Sequence, residues 1–337
     1  MELGFYFYFK KITVYGKEKI PREGGVIVSP NHQNGIIDPF VVGGNYPDVL
    51  TSLTRADVFG GFFHSVFTAM NMIPVYRIRD GFDSLKYNDS VFEKCYKLLE
   101  SENSIQIFSE ARQHENYFLI PISKGSSRLA FNAQKKYPNK NIYLQPVGIN
   151  YSSRRNPLAF IHLVYGDPIL VKEYIDPAIS EPKQINLLRN ALQSAMKSCL
   201  WIPDNGKEHE KQCEIINNLT GKESFDEIRK TIKNIDKTSI KNEFWSKSKH
   251  KEYLLNKLVG GMGLILNWPI LYLTKLVLSK IDDVVYYSTA KFYCALFFLP
   301  IWWILQWIFI SSYGIEYSII TVFSSIISLY IRQNNRL

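Results

Sequence analysis

The stretch VIVSPNHQNGIID, residues 26–38, decides the fold of the first half of the chain. Its apolar start, residues 26–28, is rich in β-branched side chains and predicts a buried strand, and the following loop carries His32 and Asp38. An imidazole beside a carboxylate at the end of a strand can act as a general base that activates a hydroxyl. The alternative is a pair of ordinary polar loop residues, because one His and one Asp at this spacing also occur by chance.

Short β-rich runs alternate with helical patterns on both sides of this stretch, from about residue 20 to 175. The alternation predicts an α/β fold, a sheet flanked by helices, with sites at the carboxyl ends of strands. Because Arg77 and Glu110 each follow a predicted strand, as His32 does, we expect the three to converge. The predicted strands are 26–28, 51–53, 73–76, 104–108, 142–147 and 160–165, and the predicted helices are 40–44, 57–70, 89–100, 124–135 and 184–198.

Charge and composition narrow the classes of partner. The formal net charge of +9 suits nucleic acid, an anionic substrate or an anionic membrane surface. The apolar residues gather near the C-terminus, which favours a lipid membrane and disfavours nucleic acid.

The four cysteines are scattered and form no Cys-x-x-Cys pair, which argues against a structural zinc site and predicts a reducing compartment. Residues 1–11 predict an amphipathic or packing segment and not a secretory signal, since Glu2 stands where such a signal needs positive charge.

The chain divides into three predicted parts: a catalytic domain over 1–202, a polar helical insert or linker over 203–253, and an apolar helical membrane-associating region over 254–337. The last part holds apolar runs at 258–278, 293–310 and 317–331, the first interrupted by Asn267 and Pro269. Lys291 before the last two runs and Arg332 and Arg336 after them predict that both ends lie in the cytoplasm. A buried helical pair in a soluble domain is the alternative, and the sequence does not decide between full spans and entry into one leaflet.

Three more groups of residues carry candidate chemistry. Arg77 and Arg79 leave a predicted strand and have the forked donors that bind phosphate. Glu110 can accept hydrogen bonds from a polyol, and Lys124-Gly125 opens a predicted helix whose N–H groups suit an anion. The alternatives are solvated arginines, a helix-capping acid and ordinary cap chemistry.

The order of these motifs resembles the four sequence blocks of the glycerolipid acyltransferases, the glycerol-3-phosphate and lysophosphatidate acyltransferases. The resemblance covers about residues 10 to 170 and implies the fold of that family, a mixed sheet flanked by helices. It implies that His32 is the general base and Asp38 its orienting partner. It further implies substrate-binding roles for Arg77 with phosphate, Glu110 with the glycerol backbone, Arg112, Lys124 and Gly125 at the basic end of the third block, and Pro146 in the block associated with the acyl donor.

The chain departs from the family pattern at several positions. The spacing His-x5-Asp replaces His-x4-Asp, as in a branch that includes some glycerol-3-phosphate and dihydroxyacetone-phosphate acyltransferases. In the third block Ser109 replaces proline and Ala111 replaces glycine. Gln113 stands at the family's arginine position, with Arg112 one place early.

The resemblance implies transfer of a fatty acyl group from a thioester, acyl-CoA or acyl-carrier protein, to a hydroxyl of glycerol 3-phosphate or 1-acyl-glycerol 3-phosphate. It implies phospholipid biosynthesis at a membrane with the catalytic domain on the cytoplasmic side, and no metal or redox cofactor. A serine hydrolase is disfavoured because no Gly-x-Ser-x-Gly occurs, and a nucleotide-dependent transferase because no phosphate-binding glycine loop occurs. A non-catalytic membrane lipid-binding protein on the same fold stays an alternative.

Overall fold

A computed structural model describes residues 8–59, 63–76, 87–235 and 249–334. Within these ranges eight strands form one mixed sheet in the order β1-β7-β6-β2-β5-β3-β4, with β8 paired to β6. Strands β6 and β7 are antiparallel, and β2 is parallel to both of its neighbours, β5 and β6. The strands are β1 Lys11–Tyr15, β2 Gly25–Pro30, β3 Leu50–Arg55, β4 Met72–Val75, β5 Ser104–Gln106, β6 Ile142–Tyr151, β7 Phe160–Tyr165 and β8 Ile169–Leu170.

Helices cover both faces of this sheet. In β2, Val26 and Val28 lie in one hydrophobic core, whereas Ile27 lies in the other, because successive side chains of a strand point to opposite faces. The first core is closed by Val41 of one helix and the second by Leu192 of another. These observations confirm the predicted sheet flanked by helices. The helices of this region are α1 Ile37–Gly43, α2 Phe63–Ala69, α3 Tyr87–Glu100, α4 Gly125–Lys136 and α5 Glu181–Ser198.

Some elements differ from the sequence prediction. Strand β1 was not predicted, yet it pairs in parallel with β7 at the edge of the sheet. The helix predicted over 57–70 is shorter, because Ala56–Val58 form a separate 3₁₀ turn and α2 starts at Phe63. Of the predicted N-terminal packing segment, residues 1–7 lie outside the described residues.

Polar helices follow residue 202 in the part of the chain that the structure describes. Helices α6, His209–Asn217, and α7, Phe225–Lys233, contribute Ile216, Ile228 and other apolar residues to a third core with Phe160 of β7 and Trp201. A capping box between Ser224 and Glu227 fixes the start of α7. The boundaries at 202/203 and 253/254 stay predictions.

The C-terminal region consists of four helices: α8 Lys249–Leu266, α9 Trp268–Leu278, α10 Tyr287–Ser311 and α11 Ile315–Asn334. Among the described residues, two helices are long and apolar enough to cross a membrane, Val284–Ser311 and Ile315–Asn334, and a third span results if the bent pair of α8 and α9 counts as one. Their large apolar side chains are exposed, among them Ile304 and Phe323. A pair of helices buried in a soluble domain would not expose such an apolar surface. The exposed surface is the kind that contacts lipid.

The apolar run predicted over 258–278 is broken at Asn267, where α8 and α9 meet at an angle of 78°. Side chains from α10 bind a main-chain carbonyl at the break, and side chains from α10 and α11 bind the side chain of Asn267. The carbonyl of Leu266 accepts a hydrogen bond from Trp302 Nε1 at 2.8 Å, and Asn267 Oδ1 accepts from Trp303 Nε1 at 3.1 Å and from Ser325 Oγ at 2.9 Å. Such compensation is what a helix break in a lipid environment requires.

Candidate active site

His32 and Asp38 are hydrogen-bonded at the carboxyl end of β2. Asp38 lies in the first turn of α1 and is completely buried. Its Oδ2 atom accepts from His32 Nδ1 at 2.9 Å and from the main-chain N–H groups of Gln33 and Asn34 at 2.7 Å each. Because Nδ1 carries the proton that it donates to Asp38, the neutral ring keeps its lone pair on Nε2. With five residues between them, the chain turns so that the Asp38 carboxylate lies within hydrogen-bond distance of the His32 imidazole.

Tyr151, on β6, holds the other oxygen of the same carboxylate. Its hydroxyl donates to Asp38 Oδ1 at 2.6 Å, and its side chain is completely buried. Burial, reinforced by the charge of Asp38, raises the pKa of Tyr151 well above its ordinary value, so the phenol stays protonated and keeps donating. Sequence reasoning missed Tyr151, because it lies 113 residues away from Asp38 along the chain and belongs to no motif.

The imidazole of His32 is confined on three sides. Asp38 holds Nδ1, the ring of Phe108 stacks on its face with ring centroids 4.0 Å apart, and Gln113 Nε2 donates to His32 Nε2 at 3.0 Å. The His32 side chain is 13% exposed. A ring held in this way has one orientation, and the lone pair on its Nε2 atom accepts the hydrogen bond from Gln113.

Glu110 is brought to the same place but faces the protein. Its side chain is fully buried, and its Oε2 atom accepts from the main-chain N–H of His32 at 2.6 Å. Its Oε1 atom accepts from His114 Nε2 at 2.8 Å and from the main-chain N–H of Ile120 at 3.1 Å. Glu110 therefore supports the backbone of the catalytic loop, and its predicted contact with a glycerol backbone stays a prediction.

His114 was missed by sequence reasoning and adds a second histidine–carboxylate pair beside the first. Its Nδ1 atom accepts from the main-chain N–H of Asn116 at 3.1 Å, so the proton that it donates to Glu110 is on Nε2. Its own main-chain N–H donates to the carbonyl of His32 at 3.4 Å. The only signal in the sequence was its place directly after the third block.

Lys124 and Gly125 are linked to this site through Ser109. The main-chain N–H of Ser123 donates to the Ser109 carbonyl at 2.7 Å, and the hydroxyls of Ser109 and Ser126 are 2.8 Å apart. The serine that replaces the family's proline thus ties the third block to the start of α4. Lys124 and Gly125 are exposed, as an anion site at this helix terminus requires.

The remaining predicted residues are placed differently. Arg112 is exposed on the loop after Glu110, next to Ala111, which has a positive φ of 55° where the family has glycine. Pro146 is buried in β6 and is paired with Ser29 of β2. Arg77 and Arg79 lie outside the described residues. The structure therefore joins His32, Asp38 and Glu110 directly.

The first turns of α10 pack against the catalytic loop. Gly35 has a φ of 42°, and a Cβ there would lie 3.1 Å from both Thr289 Oγ1 and a ring carbon of Tyr286. The hydroxyl of Tyr8 donates to the carbonyl of Ser288 at 3.1 Å. The apolar C-terminal helices are thus in contact with the loop that carries the base.

Among the residues that the structure describes, no group of three or more His, Cys, Asp and Glu side chains is close enough to hold a metal ion. Their four cysteines are all free thiols, and three of them are buried. The residues around His32 therefore offer acid–base chemistry: an oriented imidazole with one lone pair, supported by a buried carboxylate.

Comparison with known proteins finds similarity to acyltransferases over part of the chain. The sequence profile of the acyltransferase family matches residues 11–150. Glycerol-3-phosphate O-acyltransferase 1 of Saccharomyces cerevisiae is 26% identical over 117 residues, which are 32% of this chain and 15% of that protein. Glycerol-3-phosphate O-acyltransferase 2 of the same organism is 29% identical over 84 residues, 25% of this chain and 11% of that protein.

The chain thus matches about a seventh or less of the length of these two relatives. Among solved structures, the 1-acyl-sn-glycerophosphate (LPA) acyltransferase PlsC from Thermotoga maritima aligns with a TM-score of 0.42 and 14% identity, over 58% of this chain and 75% of that one. The matched segment, residues 11–150, contains His32, Asp38 and Glu110 together with most of the sheet. The comparisons therefore support a glycerolipid acyltransferase family for residues 11–150.

Proposed function

We propose that this protein is an O-acyltransferase that moves a fatty acyl group from a thioester to a hydroxyl of a phosphorylated glycerol. The observation that carries the proposal is the hydrogen bond between His32 Nδ1 and Asp38, 2.9 Å long, which leaves Nε2 as the base. The acceptor hydroxyl gives its proton to His32 Nε2 while its oxygen attacks the thioester carbonyl carbon. The C–S bond then breaks, and the thiolate takes the proton back from the imidazolium.

Asp38 holds the imidazole in the required tautomer and stabilises the imidazolium that forms. Tyr151 and the N–H groups of Gln33 and Asn34 keep the carboxylate in place. Lys124 and the N-terminus of α4 supply positive charge for the acceptor phosphate, together with Arg77 from the second block. No metal or redox cofactor is needed for these steps.

The two yeast relatives are both named as glycerol-3-phosphate acyltransferases, and the His-x5-Asp spacing favours the same acceptor. We therefore propose glycerol 3-phosphate ahead of 1-acyl-glycerol 3-phosphate. Acyl-CoA and acyl-carrier protein are both acidic donors that suit a chain of net charge +9.

The exposed apolar surfaces of α10 and α11 support a location in a membrane. The catalytic domain is proposed to lie on the cytoplasmic side, because Lys291 precedes the helical hairpin and Arg332 follows it. Both acyl donor and product are amphipathic, so a lipid-bound enzyme has direct access to them.

Purified protein in detergent, given labelled acyl-CoA and each acceptor in turn, tests the activity. Replacing His32 by alanine should reduce acyl incorporation about 100- to 10,000-fold, the range for loss of a general base. The control is His64→Ala, since His64 is exposed on α2. Near-full activity of His32→Ala would contradict the mechanism, and acyl-chain binding without turnover in the unmodified protein would support the non-catalytic alternative.

A further inference from the structure

The general base is already occupied in this structure. Gln113 Nε2 donates a hydrogen bond of 3.0 Å to His32 Nε2, the atom that must accept the proton of the acceptor. The neutral ring offers only this lone pair, because Nδ1 donates to Asp38. An amide and an acceptor hydroxyl therefore compete for the same atom.

The position of Gln113 is fixed by its neighbours. The next residue, His114, binds Glu110 through its side chain and the His32 carbonyl through its main chain. Gln33, next to His32, donates to the carbonyl of Asn116 at 2.7 Å on the far side of the same loop. These bonds hold the loop of residues 113–116 beside the base, so the amide of Gln113 stays within reach of Nε2.

A neutral amide suits this task. Water is small enough to reach a partly exposed imidazole, and an uncovered base would activate it against the thioester. The water oxygen would then bond to the carbonyl carbon, its proton would pass to Nε2, and the C–S bond would break to give free fatty acid and thiol. An acceptor held by its phosphate can displace the amide with its hydroxyl, whereas a single water molecule has no such second contact.

We propose that Gln113 is a specificity-determining positioning residue, which caps the base of His32 against water until a bound acceptor displaces it. The proposal rests on the proposed acyl transfer for its kinetic consequence, but the cap itself is a contact that can be measured without any substrate.

The first experiment measures access to His32 Nε2 in the full chain in detergent. Diethyl pyrocarbonate acylates neutral imidazole, and peptide mass spectrometry gives the rate at His32, with the exposed His64 as internal standard. Gln113→Ala should raise the rate at His32 about fivefold, the factor expected for loss of one hydrogen bond. Asn116→Ala is the control, because the site uses only the main chain of Asn116. An unchanged rate in Gln113→Ala would overturn the proposal.

The second experiment measures thiol release from acyl-CoA with and without glycerol 3-phosphate. Gln113→Ala should raise the ratio of hydrolysis to transfer about fivefold, whereas general damage to the site would lower both rates together and leave the ratio unchanged. The side chain of Gln113→Asn is one methylene shorter, so its amide should not reach the imidazole and the variant should behave like Gln113→Ala. It replaces the alanine variant in the experiment if that variant fails to fold.

The two experiments separate the two proposals. Faster labelling of Gln113→Ala in a protein that transfers acyl groups to no acceptor would refute the proposed function and leave the cap in place. Acyl transfer by the unmodified protein, with a hydrolysis ratio unchanged in both Gln113 variants, would overturn the cap and leave the proposed function in place.

Discussion

At the residue scale, the candidate site depends on a carboxylate with no freedom to move. Both oxygens of Asp38 accept hydrogen bonds, Oδ2 from the catalytic loop and Oδ1 from Tyr151. A carboxylate held at both oxygens fixes the imidazole bound to it, and such fixation keeps a general base in the productive orientation.

Two buried tyrosines offer a matched pair of substitutions. Tyr151→Phe leaves Asp38 Oδ1 without its donor, so the free energy of unfolding should fall by about 1–3 kcal/mol, and acyl transfer should fall with it. Tyr165 is equally buried, but its hydroxyl has no hydrogen-bond partner in the described part of the chain. Tyr165→Phe should therefore leave stability unchanged or raise it.

Chemical denaturation in detergent, together with the acyl-transfer assay, checks this pair. Equal losses of stability in the two variants would contradict the assigned role of the Tyr151 hydroxyl, because both substitutions remove one oxygen from the same hydrophobic core.

The sequence predicted some of these residues and not others for a physical reason. His32 and Asp38 are six positions apart, so a short motif contains both. Glu110 followed from its place after a strand. Tyr151, Gln113 and His114 take part only because the sheet and the loop after β5 bring distant segments together, and no local pattern marks such contacts.

At the element scale, β7 carries His162 in an environment that disfavours the protonated, charged form of its imidazole. The ring of His162 packs between aromatic rings, with centroids 5.1 Å from Tyr15 and 5.2 Å from Trp201. Burial, together with the charge of Lys11, lowers the pKa of His162 to about 4, and Glu223 opposes this shift. The folded state therefore binds fewer protons than the unfolded state between pH 4 and about 6.5.

Stability should consequently fall as the pH is lowered through this window, by about 2 kcal/mol between pH 7 and pH 5 from His162 alone. His162→Phe keeps an aromatic ring without a titrating group and should remove that part of the loss. Denaturation midpoints at the two pH values measure it, with His64→Phe as the control at an exposed position. A pH dependence that persists undiminished in His162→Phe would show that other groups cause it.

Elements were predicted well where the apolar pattern was strong. Strands β2, β6 and β7 are buried along almost their whole length, and their β-rich, largely apolar sequences predicted them. Strand β1 is only partly buried, so its pattern was weak. The break between α8 and α9 was visible as Asn267 and Pro269 in an apolar run, but the 78° angle depends on partners in α10 and α11.

At the scale of the whole molecule, an apolar helical bundle is attached to the catalytic domain at two places. Tyr8 and Gly35 contact the start of α10, and Lys10 Nζ donates to Asn334 Oδ1 at 3.0 Å at the end of α11. The hairpin of α10 and α11 thus begins and ends beside the sheet domain, and the cytoplasmic location that its positive flanks predict for both ends stays a prediction.

A charge in the apolar run of α10 should weaken insertion of the hairpin. Ile304 lies within this run, in the C-terminal third of α10, and is 58% exposed. Ile304→Lys should disfavour insertion by about 2.5–3.5 kcal/mol if α10 spans the bilayer. The fraction of protein that stays in carbonate-washed membranes should therefore fall.

The matched control is Tyr313→Lys, at the exposed turn between the two helices, where a lysine can reach water. Equal retention of both variants in the washed membranes would argue that α10 is not embedded in hydrocarbon at residue 304.

Because the start of α10 contacts Gly35, the position of this helix in a bilayer would affect the loop that carries His32. With α10 embedded, the bilayer sets the height of the imidazole relative to the layer of lipid headgroups. Under the proposed function, a water-soluble acceptor would arrive from the aqueous side, and the acylated product would leave sideways into the leaflet by two-dimensional diffusion. Bilayer thickness, which changes the tilt of a spanning helix, would then shift the loop that carries His32.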